Sequence, residues 1–496
     1  MVLEGPLHSA PLRQRQPHSQ YQGQLPHIDR RHCRSVLGGR LLGNAAYNDG
    51  YVVYTTVDAK LQQAARDALL NGLRAYDWRH GWRGPERRLA PRADETPQAT
   101  QARWEEALRG MPTIAELAPG IVTHITESIV SVRTKSGELI SLTWQGGLEK
   151  VRRYRSVNLT AAAEKSPAAL LAVGDLIRIR EETDGWRLSQ VPQAQSALVS
   201  LDPKHGAIRA LVGGMGFELS KFNRASQARR QPGSNFKPFL YASALSSGVT
   251  PSTVINDAPV VLDNLAAAEI WRPENDSGKF YGPTRLREAL AFSRNLVSIR
   301  VLQRVGVSRF IRYVEQLGFN TEDMQANLTL ALGTHTYTPL DIASGYAILA
   351  NDGFKVEPWL IERIEDAKGN IVFAADPLVA CPACENARQG TTEMVRMEDI
   401  LGTAVPEVRA AERVMDPRVA YIVSSFLRDA IQRGTGRRAR VLERDDIAGK
   451  TGTTNGPRDA WFSGFNRDLT TTAWIGFDDY SPLGRREFGG TAALPI

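Results

Sequence analysis

The chain has 496 residues, 42% of them apolar and 23% charged, an ordinary globular composition that excludes wholesale disorder and a fibrous protein. The formal charge is +7, but residues 1–40 hold six arginines against Glu4 and Asp29, so the rest of the chain is only weakly basic and a poor footprint for nucleic acid. Three cysteines cannot frame a chain of this length with disulfides, and no apolar run approaches the ~18–20 residues of a membrane span.

No charged segment followed by an apolar core opens the chain, so the sequence reads without signal peptide or membrane helix. Residues 1–44 are rich in Arg, Gln, His, Pro and Ser, show no periodicity and read as a disordered basic tail. A strand–helix–linker region is predicted over residues 45–109. Tyr51–Asp58 is β-branched and aromatic, which predicts a strand. Asp58 can cap a helix from Ala59 to about Arg74, with Leu61, Ala65, Leu69 and Leu73 at helical spacing. Residues 79–105 are polar, with Gly and Pro, and read as a linker.

Residues 110–195 alternate in short strands, among them Ile121–His124, Ile129–Thr134, Leu139–Trp144 and Leu176–Arg180. Such spacing predicts a small all-β, OB-like insert. It lacks the basic and aromatic alternation of an oligonucleotide binder, so a structural insert is expected. Residues 196–496 open with a hairpin, Ala197–Asp202 and Ala207–Gly213. Helical stretches follow at 235–247, 284–304, 308–317, 338–352 and 416–433, then strands Ile447–Thr453, Ala460–Asn466 and Thr470–Phe477. Strands at both ends with helices between them predict one α+β unit closed by a sheet.

Three short patterns in this unit carry chemistry. Gln231-Pro232-Gly233-Ser234-Asn235-Phe236-Lys237 opens a helix, and Ser234 and Lys237, three apart, share a face. A partly desolvated lysine beside a hydroxyl can act as its base. The chain has eleven lysines, and Ser234 is the only serine three residues before any of them. In Ser293-Arg294-Asn295 a hydroxyl and an amide can project into a cleft from a loop between helices. Ser293 can relay a proton and Asn295 can hold a substrate amide. Lys450-Thr451-Gly452-Thr453 reads as a strand with Lys450 and Gly452 on one face and Thr451 and Thr453 on the other. Gly452 there removes a side chain where a backbone or ligand comes close. A phosphate loop is the rival reading of Gly449-Lys450-Thr451, and it fails because position 444 is arginine.

The order Ser-x-x-Lys, Ser-x-Asn, Lys-Thr-Gly resembles the set found in serine β-lactamases and penicillin-binding proteins. Over roughly residues 45–496 the chain resembles the class A penicillin-binding proteins of the 1A type. Stretches Ser220–Tyr241, Tyr281–Arg300, Leu330–Asp352 and Asp446–Asp479, with Asp459-Ala460-Trp461-Phe462, carry that likeness. The resemblance implies the penicillin-binding transpeptidase fold, an antiparallel sheet flanked by helices. It implies Ser234 as acyl-ester nucleophile, Lys237 as its base, Ser293 as proton relay supported by Lys450, and Asn295 as binder of the donor backbone. Thr451, Gly452 and Thr453 would bind substrate, the two hydroxyls taking the terminal carboxylate. The backbone N–H groups of Ser234 and Thr453 would form the oxyanion hole. The implied partners are peptidoglycan stem peptides, as D-Ala-D-Ala donor and amine acceptor, and β-lactams. No cofactor, metal or nucleic acid is implied. The location would be the periplasmic face of the bacterial inner membrane, with membrane contact only through an N-terminal anchor of longer relatives.

Longer relatives carry a glycosyltransferase domain that residues 1–44 do not resemble, so no glycan polymerisation is expected from this chain. In the family a helix follows the final residues and covers the sheet, so the C-terminus reads as cut. Two rival functions remain open from sequence. One is a carboxypeptidase or β-lactamase-type hydrolase using water, for which Glu322 and Asp323 are the mid-chain acids. The other is an inactive fragment that binds β-lactam or a partner. Cys381-Pro382-Ala383-Cys384 reads as a local disulfide or two idle thiols rather than a redox or zinc site.

Overall fold

The computed structural model describes residues 49–264, 269–388 and 408–496, so the tail expected over 1–44, with Cys33, lies outside the described residues. Strand β1 (Val52–Thr55) pairs antiparallel with Ile361–Glu365. Asp58 caps helix α1 (Ala59–His80) by accepting from the N–H groups of Lys60 and Leu61 at 2.9 Å each. The helix continues past the expected end at Arg74. Tyr76 is still buried there, and its hydroxyl donates to Leu483 O at 2.8 Å.

Residues 79–105 are not a linker. Strand β2 (Arg87–Arg88) pairs with Asp175 and Leu176, and Pro97–Arg109 is a helix, α2, capped by Thr96 with proline in its first turn. Trp104 and Leu108 pack with Leu89, Ile121 and Leu176, and the indole Nε1 donates to Leu89 O at 2.7 Å. The helix buries only a narrow face, so its polar majority hides the period.

Strands β3 (Ala118–Ile125), β4 (Ile129–Thr134), β5 (Leu139–Thr143), β6 (Asp175–Glu182) and β7 (Gly185–Ser189) form the OB-like unit. They join β2 in a six-stranded antiparallel sheet ordered β2–β6–β3–β4–β5, with β7 on β6. Alternate residues Val130, Val132, Ile140, Leu142, Ile177 and Ile179 fill its core.

The larger unit is built on five strands. They are β8 (Gln195–Leu201), β9 (Ile208–Val212), β10 (Ala448–Thr453), β11 (Asp459–Phe465) and β12 (Thr470–Gly476), in the order β9–β8–β12–β11–β10. The chain's middle contributes α3 (Lys237–Ser246), α4 (Leu286–Ala291), α5 (Asn295–Val305), α6 (Val307–Gln316), α7 (Pro339–Ala350) and α8 (Pro417–Gln432). The helix expected over 284–304 is broken between α4 and α5, because Ser293 adopts φ +57° and turns the chain. The two-residue period of the strands sorts their faces. Ala197, Val199, Leu201, Trp461 and Trp474 join the helical core, while Leu198, Ala210, Ala460 and Ile475 pack on Leu69, Leu70 and Leu73 of α1. Strand β10 is the sheet's edge, and that edge is where the three patterns meet.

Cys381 and Cys384 form a disulfide with a Cα separation of 5.3 Å, which selects one of the two readings left open for them. No helix among the described residues is long and apolar enough to cross a membrane.

Candidate active site

Ser234 sits in a 3₁₀ turn, Gly233–Phe236, that runs directly into α3. Two glycines let this turn press on the edge strand. Gly233 has φ +56°, and a Cβ there would lie 2.5 Å from Thr453 O. A Cβ on Gly452 would lie 2.3 Å from Pro232 O and 2.7 Å from Asn235 Cβ. The turn is locked from below as well. Asn235 Nδ2 donates to Ser463 Oγ at 2.8 Å, and Tyr346 Oη reaches Asn235 O and Oδ1 at 2.7 Å. Gly452→Ala should therefore force β10 away from the turn. We expect a loss of about 1–3 kcal/mol in thermal unfolding, and slower acylation of Ser234 in the same preparation.

One helical turn after Ser234, Lys237 is fully buried. Its Nζ donates to Asn295 Oδ1 at 2.6 Å and Ser293 O at 2.9 Å, with Ser293 Oγ at 3.4 Å. Burial pushes its pKa down to about 7, against the pull of the Asp276 and Asp257 carboxylates. Lys450 Nζ donates to Ser293 Oγ at 3.0 Å and Thr451 O at 2.8 Å. Burial, then repulsion from Lys237, holds its pKa well below the ordinary lysine range. Ser293 thus lies between two amines, and its left-handed backbone aims both Oγ and O at Lys237. Among the described residues, Ser234 Oγ makes no side-chain hydrogen bond, and Ser234 is partly exposed.

The ladder of β10 fixes which groups face the cleft. Thr454 N donates to Asp459 O on the neighbouring strand at 3.1 Å. By alternation Thr451 and Thr453 turn their backbone groups outward, as the Lys450 Nζ contact with Thr451 O requires. The Thr453 N–H therefore points to the side where Ser234 lies. The hydroxyls lie on the opposite face from Lys450. Thr451 Oγ1 donates to Thr435 Oγ1 at 2.7 Å, and Thr453 Oγ1 accepts from Gly489 N at 3.0 Å. The structure thus brings Ser234, Lys237, Ser293, Asn295, Lys450, Gly452 and Thr453 to one edge, although they span more than two hundred positions. Glu322 and Asp323 are exposed, and neither bonds to this network. Among the described residues, no three His, Cys, Asp or Glu side chains group as metal ligands.

The family model for the penicillin-binding protein transpeptidase domain matches residues 196–476. The chain belongs to the penicillin-binding proteins. The model for the penicillin-binding protein OB-like domain matches residues 82–194. Penicillin-binding protein 1A of Pseudomonas aeruginosa is 45% identical over 94% of this chain and 58% of its own length. Penicillin-binding protein 1A of Escherichia coli is 37% identical over 91% of this chain and 56% of its own length. The chain thus spans less than three-fifths of these curated relatives. The crystal structure of penicillin-binding protein 1A from Haemophilus influenzae superposes with a TM-score of 0.81 at 33% identity, covering 97% of this chain and 70% of that one.

Several residues around this penicillin-binding protein's site were given no role by the sequence reading, although Asp459 stands in a stretch that carries the family likeness. Asn275 Oδ1 accepts from Asn295 N at 2.8 Å, and its Nδ2 donates to both Asp257 oxygens at 2.9 Å. Glu274 O at 2.9 Å and Asp276 Oδ1 at 3.2 Å accept from Asn295 Nδ2, which turns Oδ1 toward Lys237. Asp459 is buried, accepts from Trp474 Nε1 at 2.9 Å and lies 3.7 Å from Arg230, four residues before Ser234. Burial raises its pKa to about 6. None of these residues stands in a pattern whose spacing announces a role.

Proposed function

We propose that this chain is a serine-type DD-transpeptidase that cross-links peptidoglycan stem peptides ending in D-Ala-D-Ala. The observation that carries the reading is the Lys237–Ser293–Lys450 network, which begins one helical turn from Ser234. A neutral Lys237 amine has two N–H protons, and the acceptors at 2.6 and 2.9 Å take both, leaving its lone pair for the Ser234 hydroxyl. Ser234 Oγ then attacks the penultimate D-Ala carbonyl while its proton passes to Lys237. The N–H groups of Ser234 and Thr453 hold the oxyanion. The C–N bond breaks as a proton travels through Ser293, supported by Lys450, to the leaving D-Ala amine. An acceptor stem amine next attacks the ester, Lys237 takes its proton, and Ser234 leaves with a proton restored.

Asn295 holds the donor backbone, which lies as an added strand along the free edge of β10. Thr451 and Thr453 meet the terminal carboxylate. β-Lactams would acylate Ser234 and remain. The Cys381–Cys384 disulfide suits an oxidising compartment, in keeping with the periplasmic face of the bacterial inner membrane. The test is incubation of the chain with a stem pentapeptide and an amine acceptor, read by mass spectrometry. Cross-linked product with release of D-Ala is expected. Release of D-Ala with only hydrolysed tetrapeptide makes it a carboxypeptidase, and no release, with or without a penicillin adduct, makes it an inactive binding fragment.

A further inference from the structure

We infer that the cleft between helix α1 and the OB-like unit is a binding site for a neutral, N-acetylated glycan strand, with Trp78 and Trp186 as its aromatic walls. The cleft stands apart from the acyl-transfer site, on elements the proposed chemistry does not use. The choice of an N-acetylated glycan among neutral polymers rests on the proposed function, because stem peptides hang from such strands.

The cleft has a volume of about 600 Å³, inside the ~300–1,000 Å³ range of small-molecule sites. Its walls come from two units. Helix α1 turns Leu69, Leu70 and Leu73 toward the large sheet, which leaves Asn71, Arg74 and Trp78, three and four positions apart, on a face that lines the cleft. Strand β7 supplies Trp186 from the other side, and the loop after β5 supplies Gln145 and Lys150. Trp186 packs against the core of the OB-like unit, which fixes its ring. Trp78 is 41% exposed and joins none of the hydrophobic clusters among the described residues.

The chemistry of the lining selects the ligand. A sugar ring offers a face of C–H groups and a rim of hydroxyl and acetamido groups. The face needs a flat aromatic surface, whose negative π cloud attracts C–H. The rim needs polar groups with capacity to spare. Among the described residues, the Nε1 groups of Trp78 and Trp186, the Gln145 amide and the Lys150 ammonium make no hydrogen bond. The charges do not suit a polyanion. Each arginine of the lining is tied to a carboxylate, Arg74 to Glu116, Arg180 to Glu182 and Arg187 to Asp184. The sequence sets oligonucleotides aside by composition, and this pairing does so by geometry. The same charged groups disfavour an apolar ligand. A contact to the glycan, added to the contact of its stem peptide with the acylation site, raises the effective concentration of stem peptides at Ser234.

The experiment titrates the full chain calorimetrically with chitotetraose, an N-acetylglucosamine oligomer, and with cellotetraose, which lacks the acetamido groups. Chitotetraose should bind with a Kd on the order of 1 mM or tighter, and about tenfold more tightly than cellotetraose. Trp78→Ala should weaken chitotetraose on the order of tenfold, and Trp78→Phe should restore most of the affinity. Gln145→Ala, in an exposed loop, should weaken it about three- to tenfold. A thermal melt of each variant checks that the fold is kept. No binding of chitotetraose, equal binding of cellotetraose, or full affinity in both Trp78→Ala and Gln145→Ala overturns the inference. Labelling of Ser234 by a fluorescent penicillin in the same preparations should be the same in all variants. A wild-type chain that binds chitotetraose but takes no penicillin overturns the acyl-transfer reading and leaves the glycan site standing.

Discussion

Ser234→Ala is expected to abolish covalent labelling by a fluorescent penicillin and to leave the fold in place. The hydroxyl is the only atom lost, and acyl-ester formation requires it. Among the described residues, no other nucleophile is poised to take over. Ser293 is held between Lys237 and Lys450 at 3.4 and 3.0 Å, and the Thr451 hydroxyl is bonded to Thr435. Labelling should therefore vanish rather than slow. Stability should shift by no more than about 0.5 kcal/mol, the usual range for a substitution away from core, cap and network. The Ser234 side chain makes no hydrogen bond among the described residues, and the turn is held by Asn235, Tyr346 and Ser463 instead. The measurement is gel fluorescence after incubation with the probe, alongside a thermal melt. A stable adduct in the alanine variant assigns the nucleophile elsewhere, and a collapsed melt shows that Ser234 has a structural part not visible in its contacts.

The site was legible where chemistry restricts residue type within a few positions. A serine three residues before a lysine at a helix start, a serine and asparagine two apart, and a lysine–threonine strand each constrain a local geometry, and the structure brings them to one edge. What was not legible depends on distant segments meeting. Nothing in Pro273-Glu274-Asn275-Asp276 shows that this loop will orient the Asn295 amide, or that Asp257 will close behind it. The Thr435 contact with Thr451 spans sixteen positions, and the Gly489 contact with Thr453 spans thirty-six. The fold shows the same division. Strands and helices with a full apolar period stood where expected, and the sheet order follows from closing the first strands onto the last. Helix α2 was missed because it buries only a thin face. The break at Ser293 was hidden because a positive φ outside glycine has no compositional sign.

Lys237→Ala should lower the acylation rate by about 10²–10⁴-fold, the usual contribution of a positioned general base. It should also change the shape of the pH profile, which a merely structural loss would not do. In the wild-type chain the amine is pushed down to about 7 by burial. Only the neutral form has a lone pair for the Ser234 proton, so acylation should fall about tenfold per unit below pH 7 and level off above it. Removing Lys237 removes that acidic limb. It also relieves the repulsion on Lys450, whose pKa should move up toward the ordinary lysine range. Stability runs the same way as activity in the wild type. A lysine whose folded pKa lies near 7 and whose unfolded pKa is 10.5 binds fewer protons folded than unfolded between those values. Stability from this group therefore rises with pH across that window and is lowest below it, where the folded state must bury an ammonium ion. Lys237→Met, which keeps the length and drops the charge, should be as slow as the alanine variant yet show a flatter dependence of melting temperature on pH. Acylation rates and melts from about pH 5 to pH 10 on the three proteins decide the matter. A variant without Lys237 that keeps the limb near pH 7 would place the base elsewhere, with Lys450 acting through Ser293 as the group next in line.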